Sequence, residues 1–287
     1  MACPICKSKK TDFSLKVKDY EYNIKRSAIY NQCYDCKSLY RLKPKKISSK
    51  IYTSNYLPIK GNIFYDFLKN FNAIYEKNKI INILSKSFFS KNKIVLDVAC
   101  GKGYLIKNFS KDINIKCVGI DNNIKNHKNN NLQFIKSSFD NYALIKKIKP
   151  DLIIINNFIE HVENLQKIKL IISNMKKNSR LIIITPNSNS KAKNYFLKFW
   201  SGFHSPRHKV IFNEYSISFF LNKNRKISYK KFKLFDPFSN LVSILNSLKD
   251  ISFKNLFYDL MKLINLLFFV FSDVINKNRI LVAIKKN

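Results

Sequence analysis

Glycine is scarce in this chain: five in 287 residues, at 61, 101, 103, 119 and 202. So little glycine belongs where the backbone needs it, and two of the five stand together in Gly101-Lys-Gly103. Acidic residues are also few, with Asp+Glu 18 against Lys+Arg 53 and a formal net charge of +35. Such an excess draws nucleic acid, anionic membrane or acidic ligands. The cations are nearly all lysine, however, with arginine only at 26, 41, 180, 207, 225 and 279. Arginine is the residue suited to bidentate phosphate and base-edge contacts. Lys, Asn, Ile and Phe are abundant together, as AT-rich coding produces, so compositional drift is the plainer reading of the charge. Long apolar runs are missing: no stretch reaches the roughly 18 uncharged apolar residues that span a bilayer. The opening Met-Ala-Cys-Pro-Ile-Cys has no apolar leader core. The expected setting is a reducing cytoplasm. Hydrophobic residues at 46% argue against wholesale disorder.

Six cysteines are present, and four are paired by spacing. Cys3-Pro-Ile-Cys6 and Cys33-Tyr-Asp-Cys36 form two CxxC pairs with 26 residues between them. Two residues between thiolates let one tight turn aim both sulfurs at a single ion, and two such turns complete a tetrahedral Zn²⁺ site. Lys7, Lys9 and Lys37 beside the pairs favour the thiolates. Phe13 to Val17 and Tyr20 to Tyr22 alternate as short strands do. This is the layout of a zinc ribbon over residues 1–44, with a structural ion. A disulfide is disfavoured by the compartment. Cys100 and Cys117, in or after apolar runs, read as buried structural thiols.

Residues 45–90 read as a helical connecting segment. It contains Tyr52-Thr-Ser-Asn-Tyr56, then Phe64, Phe67, Leu68, Phe71, Ile74 and Tyr75 at helical spacing, then a second helix ending near Phe89. From residue 94 strands and helices alternate. Apolar runs stand at Ile94–Leu96, Ile115–Ile120, Leu132–Ile135, Leu152–Ile155 and Leu181–Thr185. Two later strands are expected at Ser228–Phe235 and Ile280–Ile284. The pattern predicts an α/β, Rossmann-like, doubly wound and mostly parallel seven-stranded sheet over residues 91–287, with an apolar helical insertion near 237–277.

"VLDVACGKGYL" (95–105) then reads as strand, acid, small-residue turn and helix. Ligands of such folds bind at the carboxyl ends of the strands. The next strand ends in Asp121, 24 residues after Asp97, where an acid commonly receives ribose hydroxyls. A carboxylate at 97 repels a pyrophosphate and suits a cationic ligand with an amino-acid end. This order resembles the class I S-adenosylmethionine-dependent methyltransferases, with Ala99 where their first glycine usually stands. The resemblance implies that Asp97, Ala99, Gly101 and Gly103 face the methionine end and ribose of S-adenosylmethionine. Asp121 and Asn122 would hold the ribose, Ser138 and Phe139 would lie at the adenine, and Asn156 at the end of the fourth strand beside the cofactor. "FHSPRHKVIFNEYSISFFL" (203–221) resembles the ubiquinone-biosynthesis-like subgroup, which acts on small molecules and lipids. The paired cysteines ahead of this domain resemble bacterial enzymes with an N-terminal zinc ribbon.

Methyl transfer needs an aligned acceptor and sometimes a base. Glu160 and His161 follow the fourth strand at the carboxyl end of the sheet, and an imidazole there can take a hydroxyl proton. His204 and His208 flank Pro206-Arg207, with His204 the stronger candidate for contact with substrate. Arg207 suits either an acidic substrate or a structural carboxylate. His127, in a Lys/Asn-rich stretch, reads as a solvated loop residue. The segment 255–275 is apolar nearly all round, which favours a buried helix. Its uncharged core, Leu263 to Ser272, also suits the surface of an anionic membrane. The expected activity is O-methylation of a small or lipid-linked hydroxylated molecule. An RNA base methyltransferase is the first alternative. It lacks the His and Phe-Asp signature after the second cysteine pair and an Asn-Pro-Pro-Tyr strand end. A non-catalytic binding module on a degenerate fold is the second.

Overall fold

The computed structural model describes residues 1–22, 27–42, 63–89, 92–112, 115–222, 226–234, 236–249 and 278–287. Tyr52–Tyr56 and the apolar segment 255–275 lie outside the described residues.

The cysteine end carries three strands, β1 (Thr11–Lys18), β2 (Ser27–Cys33) and β3 (Leu39–Arg41). Of the two strands expected there, Phe13–Val17 lies within β1, whereas Tyr20–Tyr22 falls in the bend after it rather than in a strand. Next comes helix α1 (Ile63–Leu84), closed by a 3-10 turn at Lys86–Phe89. The main sheet begins with β4 (Ile94–Val98), β5 (Lys116–Asp121), β6 (His127–Asn129) and β7 (Leu132–Lys136). It continues with β8 (Leu152–Asn156) and β9 (Arg180–Pro186). After the two-residue β10 (Val210–Ile211), β11 (Ile227–Leu234) and β12 (Arg279–Lys286) complete the strands. The intervening helices are α2 (Tyr104–Asp112), α3 (Tyr142–Ile148), α4 (Gln166–Asn174), α5 (Lys191–Phe196), α6 (Glu214–Leu221) and α7 (Pro237–Leu248). Asn141, Ser190, Asn213 and Asp236 start α3, α5, α6 and α7 by accepting first-turn backbone N–H bonds.

The main sheet runs β11-β12-β9-β8-β4-β5-β7-β6. Its five central strands are parallel, and β12, β11 and β6 join antiparallel. It has eight strands rather than the expected seven. The extra one is β6, whose three residues are all exposed; without an apolar pattern nothing in the sequence marked it. His127, expected in a loop, sits there on the edge. The chain winds outward from β4 through β5 to β7, then returns to β8 and β9 on the other side. The β4/β8 junction is therefore the topological switch point, where such folds open a crevice.

Successive residues of the buried strands point to opposite faces. Leu96, Val98, Ile153, Ile155 and Ile183 pack on one face with Ile168, Ile171 and Ile172 of α4. Val95, Ile154 and Ile182 pack on the other with Leu105, Ile106 and Phe109 of α2.

Helix α1 departs from its sequence pattern. The helix is unbroken to Leu84, and the second element, ending at Phe89 as expected, is only a four-residue 3-10 turn. Its phenylalanine stripe faces outward, with Phe64, Phe67 and Phe71 each more than three-fifths exposed. The buried stripe is Asn72, Ala73, Glu76, Lys77 and Ile80. Glu76 and Asn72 are drawn in by Arg279 of β12, bonded at 2.5 and 3.3 Å. A charge pair more than 200 residues apart outweighs the local apolar period.

The N-terminal sheet is completed by a strand from much later in the chain. Its order is β1-β2-β3-β10, with Tyr40 and Leu39 paired to Val210 and Ile211. Buried Tyr30 donates its hydroxyl to the carbonyls of Phe203 and His208 at 3.2 and 3.0 Å. Trp200, Phe203 and Phe196 pack against Tyr30, Leu39 and Val17.

Candidate functional site

The strand β4 ends in Asp97-Val98, and the chain turns through Ala99, Cys100 and Gly101 into α2. Ala99, Gly101 and Gly103 all adopt positive φ, at 58°, 56° and 75°. Only glycine takes this region freely, so the alanine at 99 is held against its preference. The Gly101 N–H donates to Asp121 Oδ2 at 3.0 Å, tying the turn to the end of β5. At Gly103 a side chain has no room, since a Cβ would stand 2.5 Å from Phe134 Cε1. Gly103→Ala combines a left-handed alanine with that overlap. It is expected to cost about 2–4 kcal/mol, read as a lowered Tm. A change under about 1 kcal/mol would show that the turn tolerates a Cβ.

Beside this turn lies a pocket lined by Lys69, Asn72, Ala73 and Glu76 of α1, by Asp97, Ala99 and Cys100, by Tyr104 and Leu105 of α2, and by Asn156 and Asn157. Two carboxylates are therefore buried in one wall. Asp97 is 3% exposed. Burial, and then Glu76 and Asp121, hold its carboxyl well above the usual carboxylate range. Glu76 accepts from Asn156 Nδ2 at 2.7 Å and from Asn72 Nδ2 at 3.0 Å. Such a wall favours a cation. Lys69 supplies one positive charge to the lining. Cys100, expected to be buried, is only half-buried and forms part of the wall; Cys117 is buried as expected.

Asp121 also accepts from Asn123 N at 2.8 Å, and Asn122 beside it is exposed. Phe139 stacks edge-on to Phe158, with ring centroids 4.9 Å apart. Ser138 bonds Asp140, whose other oxygen takes Lys167 Nζ at 2.5 Å. The Asp97, Ala99 and Asn156 positions are thus brought together in one pocket. Asp121 touches the same turn, and Ser138 and Phe139 follow the neighbouring strand.

A second cluster lies past the end of β8. Glu160 and His161 sit in a short 3-10 turn after the strand. The rings of His161 and His208 are 4.6 Å apart, and those of His161 and His204 are 6.1 Å apart. Glu160 is fully buried and accepts from Thr185 Oγ1 at 2.9 Å. Burial pushes its carboxyl up to about 7. Burial, then His204 and Lys209, push His161 down to about 3. That imidazole is neutral and a weak base. His204 is different: its Nδ1 lies 2.8 Å from Glu21 Oε2, a carboxylate in the connection after β1. Arg207 is paired with a structural carboxylate, Asp19 directly after β1, at 2.9 Å with both side chains buried.

The four paired cysteines converge. Cys3 Sγ lies 3.6 Å from Cys36 Sγ, and Cys6 Sγ 3.4 Å from Cys33 Sγ. The two turns are alike: Lys7 N donates to Cys3 O and Lys37 N to Cys33 O, each at 3.0 Å. Both lysines take positive φ. Four thiolates about 2.3 Å from one ion stand roughly 3.8 Å apart, so the donor set fits a tetrahedral thiophilic ion.

Sequence reasoning missed Glu76, Lys69, Arg279 and Glu21. The stripe of polar residues at 69, 72 and 76 was a signal on α1, overshadowed by the phenylalanines. Glu21 and Arg279 carried no local signal.

Residues 71–227 match the model of a family described as a methyltransferase domain. No curated protein sequence matches the chain. Among solved structures, a cyclopropane-fatty-acyl-phospholipid synthase-like protein from Lactobacillus casei is similar at 10% identity and a TM-score of 0.52, over 79% of this chain and 94% of that one. That likeness bears on the fold alone. A SAM dependent methyltransferase from Archaeoglobus fulgidus shares 18% identity at a TM-score of 0.45, over 79% of this chain and all of that one. The plantazolicin methyltransferase BpumL in complex with SAH shares 17% identity at a TM-score of 0.44, over 82% and 87% of the two chains. The family match spans more than half of the chain and takes in the acid, the turn and the pocket strands; the chain belongs to the methyltransferase-domain family.

Proposed function

We propose that the protein transfers a methyl group from S-adenosylmethionine to a hydroxyl of a small or lipid-linked molecule. The observation that carries this reading is the buried Asp97 beside the left-handed Ala99–Gly103 turn at the switch point. A sulfonium and an ammonium are the cations that such a wall favours, and Lys69 in the lining suits the ligand's carboxylate. Asp121, with Asn122, takes the ribose side, and Phe139 with Ser138 lies toward the base. The cofactor supplies an electrophilic methyl; the chain has to align the acceptor and accept its proton.

His204 is the residue for that proton. Its Nδ1 is held by Glu21, which orients the ring. His161, whose ring burial keeps neutral, is poorly suited to the task. The ribbon is thus part of the site, because it delivers Glu21. Its four cysteines would hold Zn²⁺ as a structural ion and so set the strand that leads to Glu21. The exposed phenylalanines of α1, on the helix that lines the pocket, support an acceptor with a lipid part and contact with an anionic membrane surface.

The test is calorimetry with S-adenosylmethionine, then transfer of labelled methyl to a lipid extract and, in parallel, to cell RNA. Saturable binding and label in the lipid fraction are expected. Absence of binding overturns the cofactor reading, and label confined to RNA overturns the acceptor. Retention of RNA alone does not count, because a chain of net charge +35 holds RNA non-specifically.

A further inference from the structure

We infer that Glu160, His161 and His208 form a second metal site, separate from the cysteines, for a divalent first-row transition ion. Each offers one ligand atom, and the three atoms lie within 4.8 Å of one another. His208 Nε2 is 3.8 Å from Glu160 Oε1. Bonds of about 2 Å to a tetrahedral ion place ligand atoms on the order of 3.4 Å apart. A small inward movement of two side chains therefore closes the site.

The second observation is what these atoms lack. Glu160 Oε1 and His161 Nδ1 are buried and have no hydrogen-bond partner among the described residues. His208 Nδ1 lies 2.8 Å from the Gly202 carbonyl. A carbonyl only accepts, so Nδ1 carries the proton and Nε2 presents its lone pair. An imidazole anchored through one nitrogen to backbone, with the other presented to the site, is the usual arrangement of a metal ligand. Thr185 orients Glu160 through its other oxygen. Three acceptors thus converge on one buried point, and an unpartnered buried acceptor is costly.

Neighbouring cations among the described residues are held elsewhere. Arg207 is paired with Asp19, Lys209 lies 3.6 Å from Glu163, and Arg279 is held by Glu76 and Asp236. Two neutral imidazoles and one carboxylate are a donor set for Zn²⁺, Fe²⁺ or Co²⁺ rather than for Mg²⁺ or Ca²⁺. Three protein ligands leave a coordination position open. His204 is the ring next to His161, so the open position is near the proposed base. An acceptor oxygen bound there would be acidified beside His204; this role rests on the methyl-transfer reading, whereas the ion site does not.

The experiment is Co²⁺ titration of the metal-free full chain, without cofactor or acceptor. Absorbance separates the two sites, because only the cysteine-bound ion shows thiolate charge transfer. The expected result is one further ion per chain whose spectrum lacks that band. In His161→Gln and in His208→Gln its affinity falls at least about tenfold, while the thiolate band and thermal unfolding stay as in the parent. A parent chain that binds no ion outside the thiolates overturns the site. So does a second ion that both variants retain. Should a variant fail to fold, the stoichiometry of the parent still decides. Because no methyl transfer is read, a failed acceptor assignment leaves this result intact.

Discussion

Asp97→Asn is expected to weaken S-adenosylmethionine binding about 30-fold or more, with the fold unchanged. Asp97 is almost wholly buried, and its carboxyl is held well above the usual range by burial, Glu76 and Asp121. The free protein therefore keeps it protonated over part of the accessible pH range. A cationic ligand reverses the balance, since the carboxylate then has a partner. Truncating one side of a buried charge pair costs about 2–5 kcal/mol, or on the order of 30-fold upward in affinity.

The sign of the pH dependence follows. Below the raised Asp97 value, binding must expel a proton, so affinity rises with pH and levels off once Asp97 is ionised in the free protein. Calorimetry in buffers of different ionisation enthalpy should detect that proton for the parent and not for the Asn variant. Stability moves the other way. A carboxyl raised on folding contributes most below its unfolded value, and the contribution is lost as pH climbs through the folded one. In the alkaline range Asp97→Asn should be at least as stable as the parent. Equal affinity in parent and variant would remove Asp97 from the cofactor site.

The parts of this site that were readable from sequence are those specified by local chemistry. Unbroken apolar runs such as Leu152-Ile-Ile-Ile155 and Leu181-Ile-Ile-Ile184 have to be buried parallel strands. In a chain so poor in glycine, Gly101 and Gly103 mark a turn that a side chain would block. Two CxxC pairs specify their own convergence. The unreadable parts depend on partners remote in sequence. The sequence marks His204 as a candidate for contact with substrate, but not that Glu21, 183 positions away, comes to its Nδ1. Strand β10 has two residues and exists because β3 offers an edge. Helix α1 shows the conflict most clearly: its apolar stripe has the stronger period, yet Glu76 and Asn72 face inward because Arg279 waits there. Burial of a charge pair is a property of the assembled fold, and no window of sequence contains both of its members.

Arg279→Leu tests that statement and is expected to cost about 3–5 kcal/mol, a fall in Tm on the order of 10 °C for a domain of this size. The guanidinium is 1% exposed. Its Nη1 lies 2.5 Å from Glu76 Oε1, and its Nε lies 3.1 Å from Asp236 Oδ2, at ion-pair distance though without hydrogen-bond alignment. Burial works against its charge, but Asp236 and Glu76 more than offset that and hold its pKa above the usual value. Leucine fills the space and leaves two buried carboxylates without their cation. The loss does not stay at β12. Glu76 also holds Asn156 at the pocket wall, and Asp236 starts α7. Cofactor affinity should therefore fall together with stability. A triple variant that adds Glu76→Gln and Asp236→Asn should regain much of the stability, because the stranded charges are gone, without regaining the affinity. If Arg279→Leu alone stays within about 1 kcal/mol of the parent, the buried network is not what turns the polar face of α1 inward, and the exposed phenylalanine stripe needs another cause.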